Sequence, residues 1–334
     1  MQWKNLLAAA GSAASLGLSA CSASPKAPAT PPSPTEQTSA AAASAQPTSY
    51  RTVNVDGLDI FYREAGPRDA PVLLMLHGFP SSSRMFEPLL RRLSGSYRMI
   101  APDFPGFGHS ATPSPEQFAY TFDHLAETID RFAQTLALGR YTLVMQDYGG
   151  PVGFRLAMAH PERVQALVLQ NANVYEDGLG PVWTARRAFW TDRAKYEATV
   201  RANLASFDAN RTRHVGSSPH PERFDPDTWT DETAFLERPG QLAIQMDLFY
   251  DYRTNVAAYP TWQAYLRKYQ PPTLVVWGRY DKSFVIEGAR AFSRDVPSAE
   301  IHELDAGHFA LDEAPDAIAD TMRRFLASHL AKSP

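Results

Sequence analysis

The stretch Leu143-Val144-Met145-Gln146-Asp147-Tyr148-Gly149-Gly150 constrains this chain more than any other. An apolar run stops at a polar residue, a carboxylate, a bulky ring and two glycines, and helical spacing then follows to His160. A buried strand that turns at once into a helix leaves space for little but glycine beside the turn, and it lifts one side chain clear of the backbone. The pattern predicts a strand–turn–helix elbow with Asp147 at its apex. The identity of that residue limits the chemistry. A carboxylate that attacks an ester carbonyl forms a mixed anhydride, which is uphill. A carboxylate that attacks a saturated carbon bearing a leaving group forms an ordinary ester, which water can cleave. Asp147 as nucleophile therefore points to an electrophilic sp3 carbon, as in an epoxide or an alkyl halide.

The elbow sits within a regular alternation. Residues 51–55 and 58–62 flank Asp56-Gly57, a hairpin signal. Val72 to Leu76, Tyr97 to Ala101, Tyr141 to Gln146 and Val164 to Leu169 read as strands, the continuous apolar runs being those of a sheet buried on both faces. Helical spacing separates them, clearest from Phe122 to Leu138. From about Tyr175 to Leu266 the alternation stops and the chain reads as mostly helical and aromatic. It resumes with the strand Thr273 to Trp277, a helix from about Glu287, the strand Glu300 to Leu304 and a last helix from Ala314. The expectation is an α/β class fold: a doubly wound, mostly parallel sheet over residues 50–174 and 267–334, with a helical cap, 175–266, inserted after the sixth strand.

The N-terminus is built differently. Lys4 makes the start positive, Leu6 to Leu18 is modestly apolar, and Leu18-Ser19-Ala20-Cys21 resembles a bacterial lipobox. Residues 1–20 are expected to be a signal peptide and Cys21 the lipid acceptor. Residues 22–49 are almost entirely Ala, Pro, Ser and Thr, too poor in apolar surface to offset the entropy of ordering them. They read as a tether. The expected location is export, with lipid anchoring to a bacterial membrane on the periplasmic or outer-membrane side. Cys21 is the single cysteine, so no intramolecular disulfide can form. Lys+Arg 32 against Asp+Glu 36 leaves no basic excess to hold a nucleic acid, and no His or Cys spacing suggests a metal site. No cofactor is expected.

Two further residues share the elbow's position at a strand end. Asp281 follows Leu274-Val275-Val276-Trp277, and His308 follows the strand near Ile301. Each has a plain structural alternative: Asp147 as a helix N-cap, Asp281 as a turn aspartate, His308 as a surface loop residue. Their order, and their common place beyond the carboxyl ends of strands, favour nucleophile, acid and base. Leu76-His77-Gly78-Phe79-Pro80 also closes a buried strand. The backbone N–H groups of Phe79 and Tyr148 are the candidate oxyanion hole, and His77 is expected to be structural. Asp103-Phe104-Pro105-Gly106-Phe107-Gly108 lacks a dinucleotide-binding spacing and reads as a structural turn.

Together these motifs resemble the α/β-hydrolase superfamily, in particular its epoxide hydrolase and haloalkane dehalogenase branch, over roughly residues 50 to 330. The resemblance implies the α/β-hydrolase fold, an Asp147–His308–Asp281 triad and a small apolar electrophilic substrate that reacts with water. It also implies that Phe249-Tyr250-Asp251-Tyr252-Arg253 is a late cap motif, in which Tyr252 donates to the leaving group, with Tyr196 as a possible second cap tyrosine. Two departures stand out. Dehalogenases clamp halide between two N–H donors, where this chain has Tyr148 and Phe79; Trp183 or Trp190 would have to supply a donor. Fluoroacid dehalogenases carry arginines near the nucleophile, and here Tyr148-Gly149-Gly150-Pro151 offers none until Arg155. Epoxide hydrolysis is the first expectation and haloalkane dehalogenation the second. The third is a non-catalytic binding lipoprotein that keeps the fold.

Overall fold

The computed structural model describes residues 44–330. The signal segment, Cys21 and most of the tether lie outside the described residues. Contacts to the folded domain are made slightly before the expected start at Tyr50: the Gln46 N–H donates to Ser94 Oγ at 2.9 Å and its carbonyl accepts from the same hydroxyl at 3.1 Å.

Eight strands form one sheet: β1 (Ser49–Val55), β2 (Leu58–Ala65), β3 (Val72–Leu76), β4 (Arg98–Pro102), β5 (Tyr141–Gln146), β6 (Val164–Gln170), β7 (Thr273–Gly278) and β8 (Glu300–Leu304). Their order is β1-β2-β4-β3-β5-β6-β7-β8. The β1–β2 hairpin turns at Asp56-Gly57 and joins β4 antiparallel; every later pairing is parallel. Strand β5 lies near the middle, buried along its whole length.

Successive residues of the inner strands point to opposite faces, which divides the core in two. Leu143 and Met145 face one side with Leu74, Leu76, Leu167, Leu169, Val275 and Trp277. Val144 faces the other with Leu73, Met75, Val168, Leu274 and Val276. The first side is covered by α2 (Phe122–Thr135), through Phe122, Leu125, Ile129 and Phe132, and by α3 (Gly149–Ala159). The second is covered by α1 (Glu87–Leu93), which carries Leu89, Leu90 and Leu93.

Between β6 and β7 lies the insert. It contains α4 (Trp183–Thr191), α5 (Arg193–Ala205), α6 (Phe207–Val215), α7 (Asp227–Leu236) and α8 (Gln241–Tyr269). Helix α8 is 29 residues long and runs past position 266 to Tyr269. Its later part is core: Trp262 stacks on Phe154 of α3 with centroids 5.5 Å apart. The chain then closes with α9 (Ile286–Asp295), the short α10 (Ala310–Glu313) and α11 (Pro315–His329), which covers the second face through Ile318, Met322 and Phe325. No helix among the described residues is long and apolar enough to cross a membrane.

Candidate active site

Three strand ends deliver the three residues singled out from sequence to one place. Asp147 ends β5 with φ 45°, in the left-handed region that a branched or bulky residue avoids. The neighbouring glycines make the turn possible. A Cβ on Gly149 would lie 1.9 Å from the Leu76 carbonyl oxygen of β3, and one on Gly78 would lie 2.3 Å from Asp147 Cβ. With those atoms absent, the elbow packs against the end of β3, and the Phe79 N–H donates to Asp147 Oδ1 at 2.8 Å.

Asp281 follows β7 in a tight turn. Its Oδ1 accepts from the N–H groups of Ser283 (2.7 Å) and Phe284 (3.1 Å). Its Oδ2 accepts from Asn171 Nδ2 at 2.8 Å and from His308 Nδ1 at 2.6 Å. The bond to Asp281 fixes the tautomer of His308: Nδ1 carries hydrogen and Nε2 is left to face Asp147. His308 Nε2 lies 3.7 Å from Asp147 Oδ2 and 3.1 Å from the Gln146 side-chain amide. An amide can turn either its NH2 or its oxygen to an imidazole, so Gln146 matches both protonation states of His308. The loop carrying the imidazole is held by Glu313, which accepts from the Gly307 N–H at 2.6 Å and from the Ser218 hydroxyl.

Burial pushes the Asp147 carboxyl up, against His308, the Phe79 and Tyr148 N–H groups and Arg186, all of which favour its ionised form. Burial alone lowers His308, but the Asp281 charge and hydrogen bond, with Asp147 behind them, leave it raised.

A cavity of about 450 Å³ opens over this triad beneath the insert. Asp147, Asp281 and His308 form its floor, and Phe79, Tyr148, Trp183, Phe249 and Tyr252 are among its walls. Tyr148 and Tyr252 stand with ring centroids 5.9 Å apart; among the described residues the Tyr148 hydroxyl has no hydrogen-bond partner, and the Tyr252 hydroxyl has only the Tyr259 phenol beside it. Burial raises both phenols well above their ordinary range, so each stays a donor at any physiological pH. Tyr196 is not brought here. It lies half-buried on α5 beside Lys195, away from the cavity lining. The indoles are also not free to donate: Trp183 Nε1 donates to the Ser283 carbonyl and Trp190 Nε1 to the Phe249 carbonyl, each at 2.8 Å. Arg253, next to Tyr252, points outward over the Tyr250 ring.

His77 is structural. Its Nε2 accepts from the Phe104 N–H at 3.0 Å, its ring stacks on Phe104, and burial pushes its pKa down to about 4. Asp103 organises the glycine-rich turn by accepting from the N–H groups of Ser83 (2.7 Å) and His109 (2.8 Å). Among the described residues no group of three or more His, Cys, Asp or Glu side chains could hold a metal ion.

Sequence reasoning missed two kinds of residue. Asn171, at φ 45° after β6, reaches Asp281 from the neighbouring strand end; parallel pairing of β6 with β7 is what brings it there, and no local signal marks it. Arg186, Arg213 and Lys282 also line the cavity, which is therefore less apolar than the aromatic composition of the insert suggested.

Residues 71–315 match the family described as alpha/beta hydrolase fold. An uncharacterized hydrolase of Saccharomyces cerevisiae is 38% identical over 82% of this chain and 95% of its own length. Haloalkane dehalogenase 2 of Mycobacterium tuberculosis is 29% identical, over 75% and 85%. Epoxide hydrolase 2 of Caenorhabditis elegans is 26% identical, over 83% and 80%. The crystal structure of haloalkane dehalogenase DbeA from Bradyrhizobium elkani superimposes with a TM-score of 0.72 at 23% identity, covering 86% of this chain and all 100% of that one.

Proposed function

The chain belongs to the alpha/beta hydrolase fold family, and on that premise we propose that it is a hydrolase working through an alkyl ester on Asp147, with an epoxide as substrate and a diol as product. In the first step an Asp147 oxygen attacks an epoxide carbon from behind, and the carbon–oxygen bond of the ring breaks. The nascent alkoxide takes a proton from Tyr252, with the Tyr148 hydroxyl as a second donor. In the second step a water gives a proton to His308 Nε2 and attacks the ester carbonyl. The oxyanion is met by the N–H groups of Phe79 and Tyr148. Collapse breaks the bond between the carbonyl carbon and the alkyl oxygen, the departing oxygen takes the proton from His308, and the proton left on the regenerated carboxyl restores the phenol. Asp281 keeps the imidazole oriented throughout.

The observation that carries the epoxide reading is the pair of phenols in the cavity wall beside Asp147, neither of them tied to a carbonyl or a carboxylate. An alkoxide needs an acid; a halide leaves without one. The haloalkane alternative shares the nucleophile and the base, but it calls for N–H donors to a halide, and both indoles named from sequence already donate to backbone carbonyls.

The test is a His308→Gln variant exposed side by side to styrene oxide and 1-bromohexane. Intact-protein mass spectrometry should find a stable adduct on Asp147 with the epoxide, formed faster than with the bromide. Faster adduct with the bromide would move the reading to dehalogenation. No adduct from any reactive electrophile would leave a binding protein as the better account.

A further inference from the structure

The cavity over Asp147 has two chemically different ends. At the floor are the nucleophile and the triad. On the cap side are two arginines from different helices, Arg186 of α4 and Arg213 of α6. Neither has a carboxylate within 4 Å among the described residues, although arginines elsewhere in the molecule pair freely with Asp and Glu. Arg186 lies over the Trp183 ring, 4.3 Å from its centroid, and 5.6 Å from that of Phe249. Its one hydrogen bond is a long one, 3.5 Å to the Ser283 hydroxyl. Arg213 lies 5.1 Å from the centroid of Phe79, the residue whose N–H holds Asp147. It donates only to neutral oxygens: the carbonyls of Leu204 and Asn203 and the side chain of Asn210. Lys282 adds a third positive charge to the lining and donates to the Gly216 carbonyl at 2.8 Å. The acids of the lining are Asp147 and Asp281, both within the triad, and Asp208, exposed at the mouth.

Two guanidinium groups lying over aromatic rings, with N–H groups left over and no acid within salt-bridge distance among the described residues, match the needs of a planar anion. We infer that Arg186 and Arg213 form a carboxylate-binding subsite, so that the substrate class is an acid bearing its electrophilic carbon a few bonds from the carboxylate. The polarity of the cavity then orients the substrate. Repulsion from Asp147 and attraction to the arginines act together to place the carboxylate at the cap and the reacting carbon at the floor. The strain of like charges is consistent with this: burial, and Arg186 beside it, push the Arg213 pKa down to about 10, which a bound anion would relieve. The first arginine after the nucleophile in sequence, Arg155, takes no part, being paired with Asp123 and Asn255 outside the cavity.

This inference rests on reading the cavity as the substrate site, and it is tested by binding, apart from chemistry. Calorimetric titration of the full chain with 3-phenylpropanoate and with 3-phenylpropanamide compares a carboxylate with its neutral isostere. The carboxylate should bind at least about tenfold more tightly, a charge-assisted bidentate contact against a neutral one, and the advantage should shrink towards unity in Arg186→Gln and in Arg186→Gln/Arg213→Gln. Arg186→Gln is the informative single change, since that side chain makes so few bonds to the protein that folding does not depend on it. Equal affinities, a preference for the amide, no measurable binding of the carboxylate, or a preference that survives the double variant would each overturn the subsite. Turnover of 3-phenylglycidate against its methyl ester then addresses the hydrolase reading separately. Carboxylate binding without diol formation from either compound would sink the hydrolase and leave the subsite standing.

Discussion

Burial works against the proposed role of Asp147, since a nucleophile must be ionised and a carboxylate in a closed pocket resists ionisation. The residue manages this through its neighbours: the Phe79 N–H at 2.8 Å, the Tyr148 N–H, and positive charge from His308 and Arg186. The phenols behave in the opposite sense. Burial keeps Tyr148 and Tyr252 protonated, and a phenol that cannot ionise in the resting state is a donor waiting for an alkoxide. Loss of that donor should therefore harm one substrate class more than the other. Tyr252→Phe is expected to slow alkylation by an epoxide by about 100-fold or more, the lower end of what a positioned acid contributes, and to slow alkylation by a bromoalkane far less. Single-turnover rates of both substrates check this, and equal slowing of the two would remove Tyr252 from the acid role. The positions of Asp147, Asp281 and His308 beyond strand ends were legible because their setting is local: an apolar strand, a turn, a polar residue. Tyr252 was legible only through its surrounding motif. Tyr196 was misplaced because helical spacing says which residues share a face but not which face covers the cavity.

At the scale of elements, the β-strands were readable nearly to the residue, because runs such as Leu143 to Met145 must be apolar on both faces of a parallel sheet. The insert was not. Helix α8 passes from cap to core without a break at Leu266, and the stop signal in the sequence, Gln270-Pro271-Pro272, lies beyond its end at Tyr269. The tie between insert and core was also invisible, since it joins residues far apart in the chain. His214 of α6 is fully buried between Glu232 of α7 (Nε2 to Oε2, 2.7 Å) and Asp312 of α10 (Nδ1 to Oδ2, 3.5 Å), and it stacks on Phe309, the neighbour of His308. Burial lowers its pKa, but Glu232 and Asp312 outweigh burial and raise it to about 9. A group raised in the folded state stabilises it fully below the unfolded value of ~6.5 and loses that contribution as pH rises through the folded value. The insert should accordingly loosen between pH 7 and a little above about 9. Thermal melts across that range should fall faster for the native chain than for His214→Leu. At neutral pH His214→Leu should itself be less stable by about 3 kcal/mol or more, because Glu232 is left buried and unpaired. A melting temperature independent of pH from 7 to 10 in the native chain would contradict a charged His214.

For the molecule as a whole, the division of labour follows from topology. The sheet sets Asp147, Asp281 and His308 at the ends of β5, β7 and β8, and the insert after β6 closes the space above them with Trp183, Tyr252 and the two arginines. The fold was legible because alternation of strand and helix is written in every residue of the core. The chemistry of the cavity roof was legible only in part, because helices of an insert carry no motif beyond their aromatic content, and Arg186 and Arg213 are 27 residues apart by number and belong to different helices. The account stands on the covalent step, and one measurement reaches it most directly: many turnovers of a confirmed substrate in water enriched in oxygen-18, followed by mass spectrometry of the peptide that holds Asp147. Attack of water on the ester carbonyl must leave heavy oxygen in the Asp147 carboxylate and deliver the original carboxylate oxygen to product. A normal-mass Asp147 peptide, with the label found in the first product released, would mean that water attacks the substrate directly and that no alkyl ester forms.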